Sequence, residues 1–215
     1  LDVDGLTLPG CFEDVHLPET PSGRQVLCRS VLSGISHGTE MVGYTGASPF
    51  TEWAFEDRVF RPLGPDDKPF YPFRHAGYDL VGVVEAVGPD VTDFAPGDRV
   101  WRGRPHQDRF VFEQGEAEAA CLDDRVPDDH AIFINLTSIA LSAVHDAEVK
   151  LGDSVLVVGA GLVGQLAARL ALASGAGRVI VSEPDPTRRE VMAAHADVTC
   201  VDPAACDMAL AAREL

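Results

Sequence analysis

Apolar residues follow two different periodicities along the chain, and the change comes near residue 130. In "RQVLCRSVLSGIS" (residues 24–36), β-branched and leucine residues alternate with polar ones between turn signals, which predicts a β-strand. "DLVGVVEAVG", "DFAPGDRVW" and "DRFVFE" predict three further strands, the second of them entered through a turn at Pro96-Gly97-Asp98. The first part of the chain is therefore expected to be rich in β structure.

The segment 43–77 interrupts this alternation. Its five prolines predict few regular elements, and long irregular segments of compact domains are often binding loops. Its aromatic residues either line a pocket for a flat or apolar substrate or form a small core of the segment, and the second interpretation is favoured. These residues are Trp53, Phe55, Phe60, Phe70, Tyr71 and Phe73.

Beyond residue 130 the apolar spacing becomes helical and then alternates with short buried strands. "DDHAIFINLTSIALSAVHDAEV" predicts a helix on which Ile134, Ser138, Leu141 and Val144 share one face. After it come, in order, strand 155–158, a helix ending at Gly175, strand "RVIVSE", helix "DPTRREVMAAHA", strand "DVTCVD" and helix "PAACDMALAAREL". Asp185 is the expected N-cap of the fourth of these elements, with Pro186 as its first helical residue. This alternation favours a parallel sheet with right-handed crossovers.

A glycine-rich turn joins the first of these strands to the next helix. Gly159-Ala160-Gly161-Leu162-Val163-Gly164 matches G-x-G-x-x-G, and its position between a buried strand and an amphipathic helix is the context that dinucleotide binding requires. The first glycine permits the tight turn, and the second lets the backbone approach a pyrophosphate at the helix N-terminus. The third allows close helix–strand packing. A glycine-rich turn that binds nothing is the alternative.

An acidic residue follows the second strand of this half. Glu183 lies 19 positions after Gly164 and is expected to accept hydrogen bonds from the adenosine ribose hydroxyls. A carboxylate there repels a 2′-phosphate, which favours NAD over NADP. The neighbouring Arg188 and Arg189 weaken that preference, so NADP stays possible.

Composition narrows the classes of partner. The 34 acidic and 17 basic residues give a formal charge of −17, which disfavours nucleic acid and anionic membranes. The sequence has no apolar run of transmembrane length, and no signal peptide is expected. Its five cysteines are scattered and include no C-x-x-C pair, which suits free thiols in the cytoplasm.

These stretches together resemble the medium-chain dehydrogenase/reductase superfamily. The resemblance rests on "SGISHGTE", "GYDLVGVVEAVG", "PGDRV", "LGDSVLVVGAGLVGQLAARLALASGA" and "VIVSEPDPTRREVMAAHAD". It implies a GroES-like β-barrel carrying the catalytic groups (residues 1–130), followed by a Rossmann NAD-binding domain (residues 131–215). The implied cofactor-binding residues are Gly159, Gly161, Leu162, Val163, Gly164, Glu183 and Arg188.

The catalytic zinc of many members has no obvious ligands here. Where the family carries Cys-Gly-[Thr/Ser]-Asp, this chain offers His37 or Ser36, depending on the alignment. Where the family carries Gly-His-Glu, it has Tyr78 and Asp79, and the third ligand has no counterpart. The chain is therefore expected to use no metal, and it is most similar to the branch containing bacteriochlorophyllide hydroxyethyl dehydrogenase.

Neutral donors are then expected to replace the zinc. Tyr78 is the first candidate for donating to a carbonyl oxygen, with a tyrosine packed at the barrel edge as the alternative. Thr39 falls at the family's proton-relay hydroxyl, or is a turn threonine. His37 could act as acid or base, or be a solvated loop histidine. Ser36 is a fourth candidate, and Glu40 and Asp79 are expected to hold the local loops.

Three functions remain open from the sequence. The first is NAD(P)-dependent hydride transfer between nicotinamide and a ketone or secondary alcohol without zinc. The second is quinone or enoyl reduction of an activated double bond, and the third is a nucleotide-binding or interaction module without turnover. Only the first half of a Rossmann domain is recognisable, so the chain is expected either to belong to a longer, homodimeric protein or to have its open sheet edge covered otherwise.

Overall fold

The computed structural model describes residues 2–3, 6–7, 14–68, 70, 76–194, 197–207, 210 and 213. The chain divides into two compact units, Leu1–Ile132 and Phe133–Leu215. Antiparallel pairing organises the first unit, whereas parallel strands alternate with helices in the second. The change of architecture follows the change of apolar periodicity in the sequence.

The elements of each unit follow one another along the chain. The first unit contains β1 (Asp2–Val3), β2 (Leu6–Thr7), β3 (Gln25–Ser33), α1 (Thr39–Tyr44), a 3₁₀ turn (Pro49–Thr51), β4 (Trp53–Glu56), β5 (Val59–Pro62), β6 (Leu80–Val87), β7 (Arg99–Arg102), β8 (Arg109–Glu113), β9 (Ala119–Cys121) and α2 (Asp128–Ala131). The second contains α3 (Ile134–Asp146), β10 (Ser154–Val158), α4 (Leu162–Ala173), β11 (Arg178–Ser182), α5 (Pro186–Ala193) and β12 (Val198–Val201).

A five-stranded antiparallel sheet in the order β8-β3-β6-β7-β9 frames the first unit. The strands β3, β6, β7 and β8 confirm the four strands that the alternating pattern predicts. Val26 and Cys28 lie on one face of β3, because alternate side chains of a strand point the same way, and both enter the core. The core of this unit is formed by Val26, Cys28, Leu80, Val84, Val100, Phe110 and Phe112.

The segment 43–77 forms more regular structure than its prolines predict. Within it, β4 and β5 pair as an antiparallel hairpin that places Phe55 opposite Phe60. Asp57 and Arg58 turn the chain with φ angles of 51° and 66°, and left-handed residues in a two-residue turn match the twist of the flanking strands. The sequence does not predict this hairpin, because neither turn residue is the glycine or asparagine that usually occupies such a turn.

The second unit is built on a parallel sheet in the order β10-β11-β12. Leu156 pairs with Ile180, which in turn pairs with Thr199, so the register runs straight across the sheet. The predicted alternation of strands and helices is thereby confirmed as far as β12. The buried core of this unit contains Val144, Ala160, Ala168, Ala171, Ala176, Val179, Val181 and Met192.

Helix α5 begins where the sequence predicts. The Asp185 side chain accepts a hydrogen bond from the backbone N–H of Arg188 at 3.0 Å, and Pro186 occupies the first turn. The predicted last helix, 203–215, lies partly outside the described residues. No helix in the described part of the chain is both long and apolar enough to cross a membrane.

Helix α3 buries a different face from the one that its apolar spacing suggests. Ala140 and Val144 are buried, whereas Ser138 and Leu141 are exposed. Val144 joins a core that α4 supplies with alanines, and this contact sets which side of α3 turns inward. The expected face, which included Leu141, is therefore corrected by a tertiary contact that the local pattern does not encode.

Helix α4 approaches strand β10 very closely at the glycine motif. A Cβ atom built on Gly164 would lie 2.0 Å from the carbonyl oxygen of Gly159, which no real contact allows. Gly159 itself has a φ of +97°, a conformation that side-chain-bearing residues rarely adopt. The first and third glycines of the motif therefore have the roles that the sequence predicts for them.

We expect Phe110→Ala to destabilise the first unit by about 3–5 kcal/mol, the range for removing a buried aromatic ring. Phe110 is 1% exposed in the core, whereas Phe55, the matched control, is 56% exposed. Both tryptophans of the chain, Trp53 and Trp101, lie in this unit, so urea unfolding followed by tryptophan fluorescence reports on it. Equal midpoints for the two variants would contradict this core assignment.

We also expect Gly164→Ala to lower the melting temperature of the protein, because the new methyl group must displace α4 from β10. Gly161→Ala is the matched control, since a Cβ at Gly161 meets no heavy atom within 4 Å. Differential scanning calorimetry of the two variants measures the difference. An unchanged melting temperature for Gly164→Ala would show that the helix is not packed this closely.

Candidate functional site

The glycine turn leaves open space at its second glycine. Gly161 is the N-cap of α4, with φ and ψ of −66° and 178°, an extended conformation open to any residue. Nothing lies within 4 Å of the position that its Cβ would take, in contrast to the crowded Gly164. The backbone of a helix N-terminus is therefore accessible here, as the approach of a pyrophosphate requires. Leu162 and Val163 form the first turn of α4 beside it.

Glu183 lies directly against this turn. Its carboxylate accepts hydrogen bonds from the backbone N–H of Ala160 at 2.6 Å and of Asp185 at 2.8 Å, and the residue is only 3% exposed. The N–H of Asp185 and then that of Ala160 lower the pKa of Glu183 below its usual range, and the nearby charge of Arg188 acts in the same direction. The carboxylate is therefore ionised at neutral pH.

The two arginines after Glu183 differ in their surroundings. Arg189 donates to the backbone carbonyl of Glu183 at 2.6 Å and pairs with Asp202 at 3.1 Å, so its guanidinium connects β11 to the end of β12. Arg188 is exposed and acts on Glu183 through its charge. Of the two, Arg188 is thus the side chain better placed to meet a charged ligand.

Three of the predicted catalytic residues lie together at the start of α1. The Ser36 hydroxyl accepts a hydrogen bond from the Thr39 N–H at 3.1 Å, and the Ser36 N–H donates to the Glu40 carboxylate at 2.6 Å. His37 and Thr39 are exposed, whereas Ser36 is half-buried. The sequence "SHGTE" therefore folds into a short turn closed by its own first and last residues.

The fourth predicted residue, Tyr78, lies in a neighbouring stretch. It is half-buried and follows Gly77, whose φ is +102°. The next residue, Asp79, is buried and accepts a hydrogen bond from the Trp101 indole N–H at 3.0 Å, while its backbone carbonyl accepts from the Gly34 N–H at 3.1 Å. The structure thus joins the Tyr78 stretch to the chain that leads into α1.

His106 is the residue of this region that sequence reasoning missed. Its Nε2 atom lies 2.6 Å from a carboxylate oxygen of Glu40, and its Nδ1 atom bonds the Ser33 hydroxyl. In the sequence, His106 fits no ligand spacing and is expected only to be solvated or satisfied within the fold. No local signal could reveal the contact, since 66 residues separate it from Glu40.

The described residues offer no ready ligand set for a metal ion. Among them no group of three histidine, cysteine, aspartate or glutamate side chains is arranged to hold a metal ion. Burial, followed by the charge of Glu85, raises the pKa of the Cys28 thiol to about 12, so this cysteine is not a thiolate at neutral pH. The cysteines Cys28, Cys121 and Cys200 are free thiols, and Cys11 lies outside the described residues.

The aromatic residues of the segment 43–77 form a partly exposed cluster. Phe60 contacts Phe55 and Phe50 with ring centroids 5.0 and 5.9 Å apart, and Phe50 stacks on Phe70 at 6.5 Å. Trp53, Phe55 and Phe60 each keep more than a third of their surface exposed, and none of the three belongs to the buried core. Tyr71 and Phe73, like His75 and His195, lie outside the described residues.

Comparison with known proteins places the chain in one family. The profile of the alcohol dehydrogenase GroES-like domain matches residues 57–125. The D-guloside 3-dehydrogenase of Shigella flexneri is 34% identical over 179 residues, which cover 80% of this chain and 51% of that protein. The chain therefore spans about half the length of these curated relatives.

Two solved structures agree with this assignment. Alcohol dehydrogenase TADH from Thermus sp. ATN1 is 22% identical, with a TM-score of 0.68 over 91% of this chain and 60% of that one. The quinone oxidoreductase of Pseudomonas syringae pv. Tomato DC3000 is 27% identical, with a TM-score of 0.63 over 90% and 55%. The expected fold class, a GroES-like β domain followed by a partial Rossmann domain, is confirmed. The chain belongs to the medium-chain dehydrogenase/reductase superfamily, whose members named here are oxidoreductases.

Proposed function

We propose that the protein is an NAD-preferring oxidoreductase that moves a hydride between nicotinamide and a ketone or secondary alcohol without a catalytic zinc. The observation that carries the proposal is the open backbone at Gly161 beside the ionised carboxylate of Glu183. D-gulosides, named for a relative that is 34% identical, are the first alcohols to assay.

The cofactor would be held by the second unit. The turn at Gly161 suits a pyrophosphate, because the helix N-terminus is accessible and carries a partial positive charge. Glu183 would accept hydrogen bonds from ribose hydroxyls with the lone pairs that its two backbone donors leave free, and its negative charge would repel a 2′-phosphate. Exposed Arg188 would moderate that repulsion. When bound, NAD supplies or accepts the hydride.

The first unit would supply the groups that act on the substrate oxygen. The phenol of Tyr78 would donate a hydrogen bond to the carbonyl and so stabilise the developing alkoxide. The exposed Thr39 hydroxyl and His37 imidazole would pass a proton between this oxygen and water. Ser36, which already accepts from the Thr39 N–H, would shape the turn that carries both residues.

A second candidate function is the reduction of an activated double bond. The likeness to a quinone oxidoreductase at 27% identity favours it, and such a reaction also needs no zinc. There the hydride would go to a β-carbon, and Tyr78 would stabilise an enolate rather than an alkoxide. Assaying ketones and enones side by side distinguishes the two.

We expect Gly161→Val to weaken NADH binding by at least about tenfold, or about 1.4 kcal/mol, because the new side chain fills the space that the pyrophosphate needs. The melting temperature should not fall, since the backbone of Gly161 is compatible with valine and the space around it is open. Isothermal titration calorimetry with NADH measures the loss. Unchanged affinity in the folded variant would rule out this turn as the cofactor site.

We expect purified protein to oxidise NADH with a ketone, and Tyr78→Phe to lower kcat by about 100-fold, the usual effect of removing one donor to an oxyanion. NADH affinity should be unchanged, because the phenol is assigned to the substrate oxygen and not to the cofactor. Tyr44→Phe, on exposed α1, is the matched control. Turnover of enones alone would transfer the proposal to double-bond reduction, and a normal kcat for Tyr78→Phe would exclude the role of the phenol.

A further inference from the structure

A buried carboxylate stands behind the catalytic turn without a part in the proposed chemistry. Glu40 is 5% exposed, yet both of its oxygens are used: one lies 2.6 Å from Nε2 of His106, and the other accepts from the Ser36 N–H at 2.6 Å. A buried carboxylate is costly unless hydrogen bonds compensate for the lost water. The position of the turn 36–40 is therefore coupled to the position of the His106 ring.

His106 also holds the stretch that carries Tyr78. Its backbone N–H donates to the carbonyl of Ala76 at 2.8 Å. A Cβ on Gly77 would lie 2.6 Å from the backbone nitrogen of His106 and 2.8 Å from its ring, so only glycine fits against the imidazole. The positive φ of Gly77 then sets the direction in which the chain enters Tyr78.

The hydrogen-bonding chemistry fixes the orientation of the ring. Because an ionised carboxylate only accepts, Nε2 must carry the hydrogen that points at Glu40. Nδ1 shares a hydrogen bond with the Ser33 hydroxyl, at the end of β3. Three stretches of the first unit, around Ser33, the turn 36–40 and Ala76–Gly77, thus meet on one imidazole.

We infer that His106 is a positioning residue that fixes the positions of Tyr78 and the turn 36–40 relative to each other for catalysis. The inference rests on the proposed function, because it assigns His106 a role in placing the candidate catalytic groups rather than in touching substrate. Misplacement of reacting groups by about 1 Å can cost about 100-fold in rate, so a residue that controls both stretches should control turnover. His106 would set kcat and leave cofactor binding alone.

The test compares His106→Ala and His106→Gln with the wild-type protein. Glutamine can place an amide N–H near the position of Nε2 and keep the bond to Glu40, whereas alanine removes every ring contact. His16→Ala, at an exposed histidine of the same unit, is the matched control. The measurements are kcat and KM for the best carbonyl substrate, the Kd for NADH, and hydrogen–deuterium exchange of the peptides covering 33–44 and 76–79.

We expect His106→Ala to lower kcat by about 100-fold with an unchanged Kd for NADH. Exchange should accelerate in both peptides and nowhere else in the first unit, and His106→Gln should restore most of the protection and most of kcat. Wild-type kcat and protection in His106→Ala would overturn the inference. Acceleration throughout the first unit with no recovery in His106→Gln would also overturn it, because His106 would then serve the fold at large.

Failure of the proposed function would give a different combination of turnover and exchange results from failure of the positioning role. If the wild-type protein turned over neither ketones nor enones, the proposed function would fail, while the exchange data would still decide whether His106 holds the two stretches together. If the wild-type protein turned over substrate and His106→Ala left both exchange and kcat unchanged, the proposed function would stand and the positioning role would be wrong.

Discussion

The close contact between α4 and β10 is the constraint on which the second unit depends. With only a hydrogen atom at Gly164, and with Gly159 in a left-handed conformation, the helix can begin directly against the end of the strand. This contact places the helix N-terminus at the carboxyl end of β10, where the middle glycine of the motif, Gly161, has open space around it. The three glycines of the motif therefore allow α4 to pack closely against the end of β10 and also leave the backbone at the helix N-terminus accessible.

Buried carboxylates anchor the candidate functional turns in both units. Glu183 bonds the backbone of the glycine turn, Glu40 bonds the backbone of the turn before α1, and Asp79 accepts from the Trp101 indole. Each carboxylate has at least one hydrogen-bond partner that is distant in the sequence. Glu183 and Glu40 each have a second partner within their own turn. A loop held in this way has few alternative positions, because moving it would leave a buried charge without its donors. Such loops suit the binding and orientation of a substrate.

The sequence predicts well the features that local chemistry decides. The glycine motif, the Asp185 cap and the alternating strands all depend on residues near one another in the chain, and the structure forms them as expected. The features that it did not reveal depend on contacts between distant residues or on unusual turn chemistry. Nothing near His106 indicates Glu40, the alanines of α4 choose the buried face of α3, and Asp57-Arg58 makes a hairpin turn without glycine.

The hydrogen bonds of Glu40 and Asp79 limit which side chains could activate a carbonyl without zinc. Beside the candidate catalytic residues, Glu40 and Asp79 are buried and already hydrogen-bonded, so neither is free to act as a base without losing its donors. The remaining candidates, Tyr78, Thr39 and His37, can donate a hydrogen bond without first becoming charged. Neutral donors stabilise an alkoxide less than a metal ion does, and they depend more strongly on alignment with the substrate oxygen. A site built from such donors therefore needs rigid support behind it, which is the role that buried Glu40 and its histidine partner are placed to fill.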